Sequence, residues 1–243
     1  MRAAVEKPRE QIYSNYTEEN FAVWKGLYEK QMYNLQGKVV DEFNQGIAHL
    51  NFNADEIPNF EKINKKLLAL TGWSIKTVPN LAEADLFFEQ LSKRRFTSTC
   101  WLRSMKEFDY LEEPDMFHDV FAHVPMLCDE KYTVFFHKIG ELAISLNNEE
   151  AIKMLQRLYW YTIEFGVIKN DEDLKIYGAG IISSVGEINN VFGKSAQIKP
   201  FNIEEVLSTP FEIDKVQPLY FSITSFDELV ETFEQIEKFL PSC

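Results

Sequence analysis

Apolar positions in this chain recur mostly at helical period, broken by a few short alternating or β-branched runs. Residues 1–16 are polar and aperiodic and read as a loose surface arm. Thr17 then stands as an N-cap before Phe21, Trp24, Leu27, Tyr28 and Met32, which repeat at helical spacing. A second amphipathic stretch runs from Phe43 to Leu50. Ile57-Pro58-Asn59 opens a third helix with Ile63, Leu67, Leu68 and Leu70 inward and Gly72 ending it. Trp73 to Val78 alternates and predicts a short strand. Asn80-Leu81-Ala82-Glu83 has capping-box spacing before Leu86, Phe87, Phe88 and Leu91. Phe96 to Trp101, rich in β-branched and aromatic side chains, predicts a second strand.

In the second half, Pro114 is a natural first-turn residue for a helix bearing His118, and Pro125 stops that helix just after His123. Long helices are expected over roughly Tyr132 to Leu146 and Glu149 to Ile168, with Trp160 and Glu164, as i and i+4, facing the same way. Lys175 to Glu187 carries three of the ten glycines and reads as a strand or tight turn where backbone comes close to something. Leu219 to Ile223 reads as a strand, and Ser225 with Glu228 caps a last helix to about Leu240. With no repeat, low-complexity segment or composition break, the pattern predicts a mainly α (α+β) fold. One helical domain with small β-strands spans residues 1–243.

Composition narrows the class. Apolar content of 45% with 14% aromatics is globular. The net charge of −13 argues against nucleic acid or an anionic membrane as partner. Cys100, Cys128 and Cys243 stand singly, which speaks against a disulfide framework and fits a reducing cytosol. Met1 to Pro8 lacks the apolar core of a signal peptide, and no apolar run approaches a membrane span. A cytoplasmic protein is the expectation.

Chemistry concentrates between Arg103 and Pro125. Two of the four histidines, His118 and His123, sit there among Tyr110, Phe117, Phe121 and Val124. Imidazoles close together in apolar surroundings suit a metal, because each ring carries polar nitrogens that need partners. Glu164, alone among Tyr159, Trp160, Tyr161 and Phe165, is a third candidate ligand, since a buried carboxylate is costly without positive compensation. Residues i and i+5 do not share a face of a regular α-helix, so the two rings converge only if the last turn loosens near Pro125. Two imidazoles and one carboxylate are the ligand set of non-haem Fe(II) oxygenases and of some hydrolytic zinc sites. The zinc peptidase signature His-Glu-x-x-His is absent. Arg103 reads either as one end of a structural salt bridge or as a bidentate clamp for a substrate carboxylate. Phe87, Tyr159, Trp160 and Phe165 read by default as core. Ser183-Ser184 read as turn caps, and Gly178-Ala179-Gly180 has no phosphate-loop context. His49 and His137 have no ligand-like neighbours.

Several of these segments, taken together and in order, resemble the catalytic domain of the pterin-dependent aromatic amino acid hydroxylases, in particular the short bacterial phenylalanine 4-hydroxylases. The resemblance runs from about Tyr16 to Leu240. It rests on Trp101-Leu-Arg103, Tyr110-Leu-Glu-Glu-Pro-Asp115, His118-Asp-Val-Phe-Ala-His-Val-Pro125, Tyr159-Trp-Tyr-Thr-Ile-Glu-Phe-Gly166, Tyr177-Gly-Ala-Gly-Ile-Ile-Ser-Ser184 and Gln217-Pro-Leu-Tyr220. It implies that His118, His123 and Glu164 bind one Fe(II) and that Arg103 holds the amino acid's carboxylate, supported by Asp115 and Ser183. It further implies that Pro114, Trp160 and Phe165 wall the aromatic ring. Phe87 would stack on a tetrahydropterin, with Val78, Leu81, Asp119 and Tyr159 nearby, and O2 as co-substrate. The reaction implied is hydroxylation of phenylalanine to tyrosine, with tryptophan or tyrosine as the alternative substrate within the family. Ala122 stands where the family usually has Gly, Leu111 where animal members commonly have Thr, and Ser222 where an apolar residue is usual. The resemblance also implies a monomer lacking the regulatory and tetramerisation segments of animal relatives.

Overall fold

A computed structural model describes residues 7–146, 148–170, 173–193, 195–213 and 215–240, and the statements below concern these. Residues 1–6 of the expected arm and Cys243 lie outside them. The rest of the arm is tied down. The hydroxyl of Tyr16 donates to Cys100 O at 2.7 Å and that of Tyr13 to Ile57 O at 3.0 Å, while Gln11 bonds Pro58 O and the amide of Phe60. Residues that are polar along the sequence are held here by tyrosine hydroxyls and one amide rather than by an apolar face.

Helices dominate. The capping box of Thr17 with Asn20 starts α1 (Glu18–Leu35), which buries Val23, Trp24, Leu27 and Leu35. Next come α2 (Asp41–Leu50) and α3 (Phe60–Leu70), the latter capped by Asn59. Leu68 and Leu70 are 58% and 50% exposed instead of inward, because the buried stripe follows Phe60, Ile63 and Leu67. Strand β1 (Ser74–Thr77) pairs in parallel with β2 (Arg95–Ser98), joined by α4 (Ala84–Ser92). The N-cap of α4 is Glu83, without a side-chain bond, and not Asn80. The second strand also ends at Ser98, short of the expected Trp101.

The segment bearing the histidines is not an α-helix. Phe117–His123 is a π-helix, and Val124–Cys128 continues it as a 3-10 turn with Pro125 in its first turn. Pro125 therefore starts a tighter turn instead of ending the helix; its missing N–H costs nothing there. Then follow α5 (Glu130–Ser145) and α6 (Glu149–Tyr159). Helix α6 passes into a second π-helix, Trp160–Glu164, closed by Phe165 N donating to Trp160 O at 2.8 Å. The helix expected through Ile168 thus stops at Glu164, and β3 (Val167–Asn170) begins. The i, i+4 relation read for Trp160 and Glu164 does not carry over to the wider π turn.

Strand β4 (Asp173–Ile176) leads into two short helices, α7 (Ala179–Ile182) and α8 (Val185–Val191), so most of the glycine-bearing stretch is helical rather than extended. After β5 (Gln197–Pro200) and α9 (Ile203–Ser208) come β6 (Leu219–Ile223) and α10 (Phe226–Phe233). Ser225 caps α10 as expected, but Glu228 reaches back to Thr224, and the helix ends before Leu240. The larger sheet has the order β4-β3-β6-β5, with β3 antiparallel to β4 and parallel to β6.

Aromatic packing fixes how the first π-helix turns. Phe117 and Phe121 stack at 4.7 Å and press edge-on against Trp24, Tyr28 and Phe43 of α1 and α2. Helix α2 reaches the following turn at Gly46, where a Cβ would lie 2.1 Å from Pro125 O. Gly46→Ala is expected to destabilise the fold by roughly 1–3 kcal/mol through overpacking. Urea unfolding followed by circular dichroism checks this; an unchanged midpoint would show that the α2 contact is not tight.

Candidate metal centre and the pocket around it

A π-helix closes its hydrogen bonds at i and i+5, so residues five apart stack one turn above another. In an α-helix they would diverge by about 140°. The wider turn therefore brings His118 and His123 together, with ring centroids 5.1 Å apart. Here the whole segment loosens, and not only its last turn as the spacing alone implied. The second π-helix ends on Glu164 and delivers its carboxylate between the rings. His118 Nε2 lies 3.3 Å from Glu164 Oε1, and His123 Nε2 lies 3.2 Å from Oε2. One ligand atom from each residue falls within 4.8 Å of the others.

Hydrogen bonds assign the His118 tautomer. Ser183 Oγ donates to Ala179 O at 3.0 Å, which leaves its lone pairs for His118 Nδ1 at 2.9 Å. Nδ1 then carries the proton, and Nε2 turns a bare lone pair toward a carboxylate oxygen. Burial, only partly offset by Glu164, holds this imidazole below its ordinary pKa and keeps it neutral. For Glu164 burial acts upward, and the two histidines outweigh it, leaving the carboxyl below its usual range. Two electron-rich groups this close are unfavourable unless a cation sits between them. A nitrogen, nitrogen, oxygen donor set of this kind fits Fe(II).

The supports of this centre come from distant segments. Phe96 of β2 lies against the His123 ring at 4.7 Å. Asp119 Oδ2 accepts the amide of Thr99 at 2.8 Å and its hydroxyl at 3.0 Å. Burial pushes the Asp119 carboxyl up to about 7 despite these bonds. Gly180 is required where α7 passes the ligand, because a Cβ there would come within 2.8 Å of Glu164 Oε1. The close approach read from the glycines is thus an approach to the carboxylate of Glu164, the candidate ligand.

The other expected residues fall into two groups. On one side, Arg103 and Asp115 form a bidentate pair, Nε to Oδ2 and Nη2 to Oδ1, both at 2.9 Å, with the Asp115 side chain fully buried. Asp115 Oδ1 also receives the backbone amide of His118 at 3.3 Å, tying the pair to a candidate ligand. Pro114 precedes it, half-buried. Ser183 reaches the site through His118. Trp160 packs against Phe165 at 4.6 Å and stacks on Phe211 at 4.3 Å. On the other side, Phe87 meets Tyr159 edge-on at 5.1 Å, and Tyr159 stacks over His123 at 6.5 Å. Val78 is buried nearby on the strand side, its amide bonded to Ser98 O, whereas Leu81 is 70% exposed. Ala122, buried completely, packs in the core. Sequence reading gave no site role to Thr99, Phe96 or Phe211, and none to Gln217 beyond its place in the Gln217-Pro-Leu-Tyr220 motif; each reaches the site through the fold.

Fold and donor set together define a mononuclear non-haem metal centre of the two-histidine, one-carboxylate kind. A sequence model of the family described as biopterin-dependent aromatic amino acid hydroxylase matches residues 5–242. The chain belongs to that family. It is 42% identical over 222 residues to a phenylalanine-4-hydroxylase of Chromobacterium violaceum, covering 91% of this chain and 75% of that protein. A crystal structure of the Chromobacterium violaceum phenylalanine hydroxylase with bound iron(III) and 7,8-dihydrobiopterin superposes with a TM-score of 0.87 at 39% identity, over 97% of this chain and 88% of that one. The apo structure of the cold-active phenylalanine hydroxylase from Colwellia psychrerythraea gives 0.89 at 34% identity, over 96% of this chain and 92% of the other.

Two substitutions test the centre. Glu164→Gln removes the anionic donor and should weaken Fe(II) binding by about 100-fold or more, while Ser183→Ala, which frees the His118 ring, should cost about tenfold. Anaerobic Fe(II) titration reads both. Wild-type affinity in the first variant would exclude Glu164 as a ligand.

Proposed function

We propose that this protein hydroxylates L-phenylalanine to L-tyrosine, using a tetrahydropterin and O2 at a single Fe(II) held by His118, His123 and Glu164. The observation that carries this is the convergence of both imidazoles on one buried carboxylate, with Arg103 coupled to the same centre through Asp115. Family membership supports the reaction class, and the phenylalanine hydroxylases among its relatives support the substrate.

Bound iron and reduced pterin together supply the activation of O2. The protein's own residues supply position and exclusion. Arg103, its side chain 11% exposed, is already aligned by Asp115, and Nη1, held only by a 3.4 Å bond to Phe108 O, is the nitrogen that would turn to a substrate carboxylate. A substrate anchored there needs no reorientation of the cation when it binds. Trp160, Phe165 and Pro114 present apolar surface for the aromatic ring and keep water from the reacting end. Phe87, Val78, Leu81, Asp119 and Tyr159 form the opposing pterin side, with Phe87 giving an aromatic face for the ring. Ser183 keeps the proton of His118 on Nδ1, so Nε2 remains a donor to the metal.

A small amino acid is therefore the partner. The net charge of −13 argues against nucleic acid. Among the described residues no helix is long and apolar enough to cross a membrane. We place the protein in the cytoplasm.

The direct assay supplies Fe(II)-loaded protein with phenylalanine, a tetrahydropterin and O2 and quantifies tyrosine, with tryptophan and tyrosine as competing substrates. Tyrosine formed only when all components are present is the expected result; hydroxylation of tryptophan in preference would reassign the substrate. Arg103→Ala should raise the KM for phenylalanine by about 100-fold, the scale of a lost charged clamp. An unchanged KM would return Arg103 to a purely structural role.

A further inference from the structure

A buried polar network stands behind the aromatic wall, and its centre is Gln217, a residue 2% exposed. Trp160 Nε1 donates to Gln217 Oε1 at 3.0 Å. Gln217 Nε2 donates to the carbonyls of Glu212 and Lys215, both at 2.8 Å. This pattern admits one orientation of the amide: turned over, it would set N–H against N–H and oxygen against two carbonyls. The backbone of Gln217 is equally fixed. Its amide donates to Glu187 Oε1 at 3.0 Å, and its carbonyl accepts Asn190 Nδ2 at 2.7 Å. Tyr220 closes the ring, its hydroxyl donating to Glu187 Oε2 and accepting Asn190 Nδ2 at 2.8 Å.

We infer that Gln217 is a positioning residue for substrate selection: through its one acceptor bond it locks the Trp160 indole and so sets the width of the aromatic pocket. The indole has few other constraints. Phe211 and Phe165 pack on it, and stacked rings resist in-plane sliding weakly, whereas a hydrogen bond at the indole edge fixes both rotation and translation. Gln217 is in turn held to α8 and β6 by the Glu187, Asn190 and Tyr220 bonds, while the Trp160 backbone opens the π-helix ending in Glu164. The pocket wall and the metal ligand are thereby held in one frame. Gln217 touches neither substrate nor metal. This inference rests on the phenylalanine hydroxylase reading, in which Trp160 faces the substrate ring.

A double-substitution cycle tests it. Gln217→Met keeps the volume and removes the acceptor; Trp160→Phe keeps an aromatic wall and removes the donor. Gln217→Met should raise the KM for phenylalanine about tenfold and lower the preference for phenylalanine over tryptophan, with kcat within about twofold, the scale of one lost hydrogen bond acting in binding. In the Trp160→Phe background Gln217→Met should add less than about twofold, because the bond it deletes is already gone there. Equal, additive effects in the two backgrounds, or an unchanged substrate preference, overturn the inference. An independent readout is hydrogen exchange at the Trp160 indole N–H, identified among the four tryptophans by its absence in Trp160→Phe. Slow exchange in the wild type and at least tenfold faster exchange in Gln217→Met are expected; free exchange in the wild type overturns the lock. If Gln217→Met does not fold, the exchange rate of the wild-type Trp160 indole N–H still decides, since free exchange contradicts the lock. Failure of the wild type to make tyrosine with iron bound would instead remove the functional reading beneath it.

Discussion

The constraint on which the rest of the structure depends is the burial of one carboxylate. Glu164 sits among aromatic rings with 11% of its side chain exposed, where an uncompensated charge is strongly unfavourable. The His118 nitrogen that points at it carries a lone pair and offers no proton to the carboxylate. The arrangement is at ease only with a cation at its centre, and that requirement is the physical origin of metal binding here.

Meeting this requirement shapes the backbone. Both segments that carry ligands are π-helical, a conformation with poorer packing than the α-helix and found mostly at functional sites. The surrounding core holds them in it. Phe117 and Phe121 clamp the first segment against α1 and α2, and the Phe165 to Trp160 bond closes the second. The same two segments carry Asp119, Asp115's partner amide and Trp160, so the metal centre, the Arg103 pair and the aromatic wall share one scaffold. A displacement of any one moves the others.

Much of this was legible in the sequence, for identifiable reasons. Helices announced by side-chain caps, Thr17, Asn59 and Ser225, begin where those residues stand, because the cap bond is local. The three ligand candidates were legible because imidazoles and a lone carboxylate in apolar surroundings have few other uses. What failed was whatever depends on distant packing. Leu68 and Leu70 are apolar yet exposed. Ile181 and Ile182, in a stretch read as a strand or tight turn, form α7, which passes close to Glu164 at Gly180. Pro125 marks a change of helix type that no local rule distinguishes from a stop. Gln217 stood in a motif of the resemblance, Gln217-Pro-Leu-Tyr220, but its bond to Trp160 was not legible, because the two lie 57 residues apart.

The central claim is that His118, His123 and Glu164 hold one metal ion together. Anomalous diffraction at the iron edge, on crystals grown anaerobically with Fe(II), addresses it directly. The account predicts a single peak within bonding distance of both Nε2 atoms and the Glu164 carboxylate. A peak elsewhere, or bonded to only one of the three, would contradict it.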